Sequence, residues 1–201
     1  MQKFLHVGCG MKNKSRTTKV FAGADWTEVR YDIDPSVNPD ILGSMTNLDS
    51  IEDDSFDAIF SSHNIEHLYP HEVPIALAEF WRVLKPAGYF VVTCPDLQSV
   101  AKVVAEDKLT EPAYSSPAGP ISALDILYGH RASLARNNLF MAHRCGFTKK
   151  VLVETLLESG FKTIASMARG YAPHFDLWAL ATKTAMSESE LRLISSQHFP
   201  S

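Results

Sequence analysis

The stretch Leu5-His6-Val7-Gly8-Cys9-Gly10, read together with Asp32 at the end of the next apolar run, decides the fold. Phe4 to Val7 reads as a short buried strand that delivers the chain into a tight glycine turn, and Glu28 to Ile33 reads as strand two. In an open α/β sheet this arrangement builds a pocket for an adenosine. The glycines let the backbone come close, and the carboxylate after the second strand accepts hydrogen bonds from ribose hydroxyls. The dinucleotide pattern G-x-G-x-x-G wants a third glycine at position 13, which is Asn13 here.

Outward from that turn, residues 11–24 carry no helical period and are basic, with Lys12, Lys14, Arg16 and Lys19. They read as a loop where a doubly wound fold normally has its first helix. Asp34-Pro35 and Asn38-Pro39 punctuate the chain before a short third strand at Asp40 to Leu42. Strand four is Phe56 to Phe60. Val73, Leu77, Phe80, Trp81 and Leu84 form one apolar stripe, which predicts a helix over 72–85 with Pro74 in its first turn. Lys85-Pro86-Ala87-Gly88 ends that helix, and Tyr89 to Thr93 is strand five.

Residues 96–147 read as a helical insertion above the sheet: a helix at Leu97 to Glu106, a Pro/Ser/Gly loop at Glu111 to Pro120, and a weaker helical pattern to Met141. Thr148 caps a helix to Ser159, with Leu152, Val153, Leu156 and Leu157 inward and Gly160 as its stop. Phe161 to Ala168 and Phe175 to Thr182 read as an antiparallel hairpin, and 186–201 as a polar tail. The expectation is one domain over 1–185, α/β and doubly wound. It has a mostly parallel seven-stranded sheet, an antiparallel C-terminal hairpin and a lid at about 96–147.

Bulk properties narrow the function classes. The chain has 201 residues, 45% of them hydrophobic and 21% charged, as in an ordinary globular domain. Its net charge of −4 gives no electrostatic ground for nucleic acid or anionic membrane as partner. Three scattered cysteines, Cys9, Cys94 and Cys145, make neither a disulfide framework nor a cysteine-rich zinc site. No apolar run reaches the length of about 18 residues that spans a membrane, and the N-terminus has no secretory pattern. A cytoplasmic protein is expected.

A pyrophosphate cofactor wants a helix N-terminus held close by the third glycine, so the missing glycine and the missing helix argue against NAD and FAD. S-adenosylmethionine (SAM) carries an adenosine without phosphate and needs only the close turn and the acid. Five segments in order then show a family resemblance. They are Leu5 to Gly10, Tyr31-Asp32-Ile33-Asp34-Pro35, Ser55 to His63 with Ile65-Glu66-His67-Leu68, Trp81 to Gly88, and the closing hairpin. Together they resemble a class I SAM-dependent methyltransferase of the small bacterial, methyltransferase-11-like kind.

The resemblance implies that Gly8, Cys9 and Gly10 line the methionine part of SAM, that Asp32 holds the ribose and that Ile33 packs on the adenine. Ser61, Ser62 and His63 would lie at the end of strand four near the methyl group. The acid often found after strand three near the adenine is replaced by Ser44-Met45. Methyl transfer is an in-line displacement from a good leaving group. The protein has mainly to align the acceptor and exclude water, and a general base is needed only for a poorly acidic hydroxyl or a protonated amine.

His63 and His143 are the candidate catalytic residues. Tyr128, His130, Arg131 and Arg144 in the lid, with Lys12 from the basic loop, are the candidate acceptor-binding residues. His63-Asn64-Ile65-Glu66-His67 matches the zinc pattern H-x-x-E-H, but it leaves a strand and precedes Pro70 and Pro74, so no metal is expected. The expected activity is methyl transfer from SAM, releasing S-adenosylhomocysteine, to a small or medium-sized acceptor such as a saccharide or lipid-linked intermediate. The alternative is a binding module for SAM or S-adenosylhomocysteine without catalysis.

Overall fold

A computed structural model describes residues 1–200. Seven strands form one sheet in the order β3-β2-β1-β4-β5-β9-β8. Here β1 is Gln2–Val7, β2 Trp26–Asp32, β3 Ile41–Leu42, β4 Phe56–Ser62, β5 Leu84–Pro95, β8 Thr163–Arg169 and β9 Asp176–Thr182. The first five run parallel, and β9 lies antiparallel between β5 and β8. Both β2 and β4 flank β1, so the chain order reverses between β1 and β4. A crevice opens at the carboxyl ends of the strands at such a reversal.

The expected elements form with shifted ends. Helix α1 spans Val73–Val83, and Val73, Ala76, Leu77, Phe80 and Val83 are its buried face. Of the predicted stripe, Trp81 is partly exposed. Strand β5 starts early, at Leu84: its pairing with β4 jumps from Phe56–Leu84 to Ala58–Tyr89, so Lys85-Pro86-Ala87-Gly88 loops out as a bulge. Helix α5, Lys149–Glu158, starts at Thr148, whose side chain accepts from the Val151 N–H. Leu152 and Leu156 are buried there, whereas Leu157 faces solvent.

The lid contains helix α2, Leu97–Ala105. The stretch read as a Pro/Ser/Gly loop is instead a β-hairpin of β6 (Pro112–Ser116) and β7 (Gly119–Ser122). Helices α3 (Ala123–Tyr128) and α4 (Arg131–Leu134) follow. The lid has its own small core of Val100, Ile121, Ala123, Ile126 and Phe175. Among the described residues no helix is long and apolar enough to cross a membrane.

Residues buried along the strands alternate between the two faces of the sheet. Leu5, Ile59, Phe90 and Val92 meet α1 and α5 in one core, while Phe4, Phe60, Tyr89 and Val91 point to the other. A parallel sheet needs cover on both faces. Between β1 and β2 the chain supplies a single short helical turn, Lys14–Arg16, and the face is closed in two other ways. Phe21, fully buried, stacks on Phe4 with ring centroids 4.4 Å apart and meets Trp26 edge-on at 4.9 Å. The segment 186–200, expected as a polar tail, is largely helix α6, Glu188–His198, capped by Ser187 and Glu190. Its Leu191, Ser195 and His198 are buried against this face.

His198 locks α6 in place. Its Nδ1 lies 2.9 Å from the Thr18 hydroxyl, its Nε2 lies 3.0 Å from the Tyr89 hydroxyl, and its ring packs 4.6 Å from Phe21. Burial pushes this imidazole down from its ordinary 6.5 to about 4. Between those values the unfolded chain binds a proton at His198 that the folded chain does not. Its contribution to stability is therefore present above about 6.5 and is lost as pH falls toward about 4. Urea unfolding at pH 7 and pH 4.5 should show a smaller acid loss of stability in His198→Gln than in the wild type. Equal losses would contradict this assignment.

Candidate active site

The crevice is built from the turn after β1. Gly8 and Gly10 adopt φ of 63° and 53°, in the left-handed region that glycine enters without strain. A Cβ on Gly8 would stand 2.1 Å from Asn64 Oδ1, while one on Gly10 would meet nothing within 4 Å. Asn64 in turn donates from Nδ2 to the Val7 carbonyl at 3.1 Å and the Ser62 carbonyl at 2.9 Å, joining the ends of β1 and β4.

Asp32, at the end of β2, is buried. Its Oδ2 accepts the Gly10 N–H at 2.7 Å and its Oδ1 the Asp34 N–H at 2.9 Å. A carboxylate has about four lone-pair sites, so it keeps acceptor capacity toward the crevice. Arg30 holds the loop from outside. Its guanidinium donates to the carbonyls of Lys12 at 3.1 Å, Gly10 at 2.7 Å, Val37 at 3.0 Å and Asn38 at 2.7 Å. One rigid cation thus takes the place of a first helix in fixing the glycine turn.

A cavity of about 590 Å³ follows. Gly8, Cys9, Gly10, Asp32, Ile33, Ser44, Met45, Ser62 and His63 line it, as do Lys12 and, from the lid side, Arg144. Ile33 leaves about half its surface open there, 47%, a flat apolar wall beside the carboxylate. Burial pushes the Cys9 thiol up to about 11, which keeps it protonated. The donors and acceptors fit a nucleoside without phosphate: a carboxylate at one point, close backbone at another and an apolar face between.

A smaller cavity of about 240 Å³ lies between the end of β4 and the lid. It shares His63, His67 and Met141 with the larger one, and five of the chain's eight histidines line it: His63, His67, His130, His143 and His174. His63 stands at the junction with a left-handed φ of 55°, a conformation that costs energy in a non-glycine residue. Beneath it, Glu66 is completely buried. Burial works against its charge, but the His63 imidazole, with His67 and His143, outweighs that and holds the carboxyl below its ordinary range. Burial also pushes the His143 imidazole down, against the opposing pull of Glu66.

Several expected positions lie elsewhere. Ser61 lines neither cavity: it faces away on the strand, buried, with its Oγ 3.4 Å from Asn64 Nδ2. Tyr128 is exposed and also lines neither cavity. Arg131 is committed to Asp125, donating to Oδ1 at 2.8 Å, and so braces the capped start of α3. Of the four basic loop residues only Lys12 reaches the large cavity. The Lys14 ammonium is tied to the carbonyls of Gly23 at 3.0 Å and Trp26 at 2.8 Å. Sequence reasoning missed Asn64 and Arg30 as organisers and Glu66 as a wall of the smaller cavity. Glu66 was visible only as the fourth residue of the His63–His67 pattern.

Residues 5–92 match the family model described as a methyltransferase domain. Solved structures share the fold. The PH0226 protein of Pyrococcus horikoshii superposes with a TM-score of 0.62 at 19% identity, over 91% of this chain and 82% of that one. A SAM-dependent methyltransferase of Methanosarcina mazei gives 0.58 at 16%, over 92% and 93%. The 1,6-didemethyltoxoflavin-N1-methyltransferase of Burkholderia thailandensis, solved with 1,6-didemethyltoxoflavin and S-adenosylhomocysteine bound, gives 0.58 at 16%, over 92% and 72%. No curated protein matches the chain.

The two glycines separate backbone strain from collision. Gly8→Ala meets both a left-handed φ and the Asn64 side chain, whereas Gly10→Ala meets only the first, a cost of about 1–2 kcal/mol. Gly8→Ala should lose clearly more stability than Gly10→Ala in urea titrations, and equal losses would show that Asn64 does not constrain the turn.

Proposed function

We propose that the chain, whose residues 5–92 match the methyltransferase-domain model and whose fold is shared with solved SAM-dependent methyltransferases, binds SAM and transfers its methyl group to a small polar acceptor held in the histidine-lined cavity. One observation carries this. The large cavity at the glycine turn and the smaller cavity under the lid share His63, His67 and Met141, so a donor in one faces an acceptor in the other. The smaller volume, about 240 Å³, falls below the roughly 300–1,000 Å³ of sites for drug-sized ligands. It suits a small molecule or a single sugar unit at the end of a saccharide or lipid-linked intermediate. The Burkholderia enzyme of the same fold was solved with 1,6-didemethyltoxoflavin, a small molecule, bound along with S-adenosylhomocysteine.

SAM supplies a methyl group on a sulfonium, which leaves as a neutral thioether. In this reading Asp32 accepts the ribose hydroxyls, Ile33 and Met45 flank the adenine with Ser44 beside it, and the backbone of Gly8 to Gly10 approaches the methionine end. Lys12 and Arg144 border the same cavity and offer positive charge to a carboxylate. His63, at the junction, is the group in reach of a proton leaving the acceptor. His130 and His143 face the acceptor from the lid. The lid excludes water, which strengthens every polar contact inside. A cytoplasmic location belongs to the same proposal, on the low cysteine content. A module that only bound SAM would have no use for the second cavity.

Removing the carboxylate in Asp32→Ala should weaken SAM binding by about 1.5–3 kcal/mol, measured by titration calorimetry. Unchanged affinity would contradict the assignment of the ribose to Asp32. Incubating the wild type with methyl-labelled SAM and the small-molecule fraction of a cell extract should label a low-mass product. Binding of SAM without label transfer to any fraction would favour the binding module.

A further inference from the structure

Among the described residues Glu66 is the one side chain with buried polar atoms that lack any hydrogen-bond partner, and both of its carboxylate oxygens are in that state. His63 Nδ1 lies 3.4 Å from Oε1, beyond ordinary hydrogen-bond length. A buried carboxylate whose oxygens accept no hydrogen bond is expensive, and such groups are normally paired or bound to metal.

Two imidazoles beside it are prepared as ligands. His67 Nδ1 donates to the Ala142 carbonyl at 3.0 Å, and His143 Nδ1 donates to the Ile126 carbonyl at 2.7 Å. A carbonyl oxygen only accepts, so each ring carries its proton on Nδ1 and leaves the Nε2 lone pair free. This is the arrangement in which metal-binding histidines are held by their neighbours. The two rings lie 4.9 Å apart between centroids. One ligand atom each from Glu66, His67 and His143 can be chosen so that all lie within 4.8 Å of one another. Ligand atoms around a tetrahedral ion at about 2 Å stand roughly 3.3 Å apart, so a bound ion would draw the three groups closer than they stand here.

We propose that Glu66, His67 and His143 bind a divalent transition-metal ion. Two nitrogens and one carboxylate suit zinc and ions like it rather than magnesium or calcium, which take oxygen ligands. The long helix that the H-x-x-E-H pattern requires is absent, since Ile65–His67 is a single helical turn. His143 arrives instead from the lid, where the backbone N–H groups of Arg144 and Cys145 already donate to the Glu66 carbonyl at 2.8 and 3.2 Å. The ion therefore ties the lid to the end of β4. All three ligands line the smaller cavity, so the coordination position they leave faces the acceptor. That consequence rests on the proposed methyl transfer, while the metal site itself does not.

The test is zinc binding by untagged, metal-stripped protein, read by calorimetry and elemental analysis with no methyl donor present. The expected result is one zinc per chain, with affinity lowered more than about tenfold in His143→Ala and in Glu66→Gln, each checked for fold by circular dichroism. Wild type that binds no zinc, or folded variants that bind it as tightly as wild type, would overturn the proposal. Cobalt(II) added to the wild type gives a readout that needs no variant. Visible bands of a low-coordinate site with nitrogen ligands are expected, and the spectrum of the hydrated ion would overturn the site. Zinc binding without labelled methyl transfer would keep the metal site and reject the acceptor reading.

Discussion

The Asn64 amide, donating at once to Val7 and Ser62 at the carboxyl ends of β1 and β4, is the contact on which the crevice depends. It sits where the strand order reverses, and its carbonyl side packs so closely on Gly8 that only glycine fits. The turn beside it runs through the left-handed region, the Gly10 N–H donates to Asp32, and the strand end leaves at His63 with a left-handed φ of its own. One amide thus couples the backbone of the glycine turn to the histidine at the junction of the two cavities. Arg30 completes the frame by collecting four carbonyls from the loops on either side.

The absence of a first helix has a structural price that is met far along the chain. Without it the face carrying Phe4, Phe60 and Tyr89 would be bare, and buried parallel strands do not tolerate that. Phe21 fills the centre of the gap and α6 covers its rim through Leu191 and His198. The segment 5–92 that matches the methyltransferase-domain model therefore shares its second core with the C-terminal helix. The start of the loop, Gly8 to Lys12, borders the large cavity while Phe21 and α6 do the packing.

Much of the fold was legible because its signals are local. Short apolar runs gave β1, β2, β4 and β5; the stripe from Val73 gave α1; Thr148 and Gly160 bounded α5. The polar composition of 186–200 concealed α6, because a helix that buries Leu191, Ser195 and His198 on an aromatic surface needs little hydrophobicity of its own. The hairpin β6–β7 was hidden by its Pro, Ser and Gly content, which reads as loop until partners are known. At the site, Gly8, Gly10 and Asp32 were readable from spacing. Glu66 and His143 are 77 positions apart in number, and only the fold of the lid brings them together. Arg131 looked like a ligand-binding charge, yet the structure uses it for an internal bond that sequence cannot display.

A crystal structure of the protein with S-adenosylhomocysteine would show whether the crevice at the glycine turn holds the nucleoside. The account predicts both ribose hydroxyls on the Asp32 carboxylate, the adenine against Ile33 and the sulfur directed toward His63 and the smaller cavity. A nucleoside bound elsewhere, or one bound here with its sulfur turned away from that cavity, would contradict it.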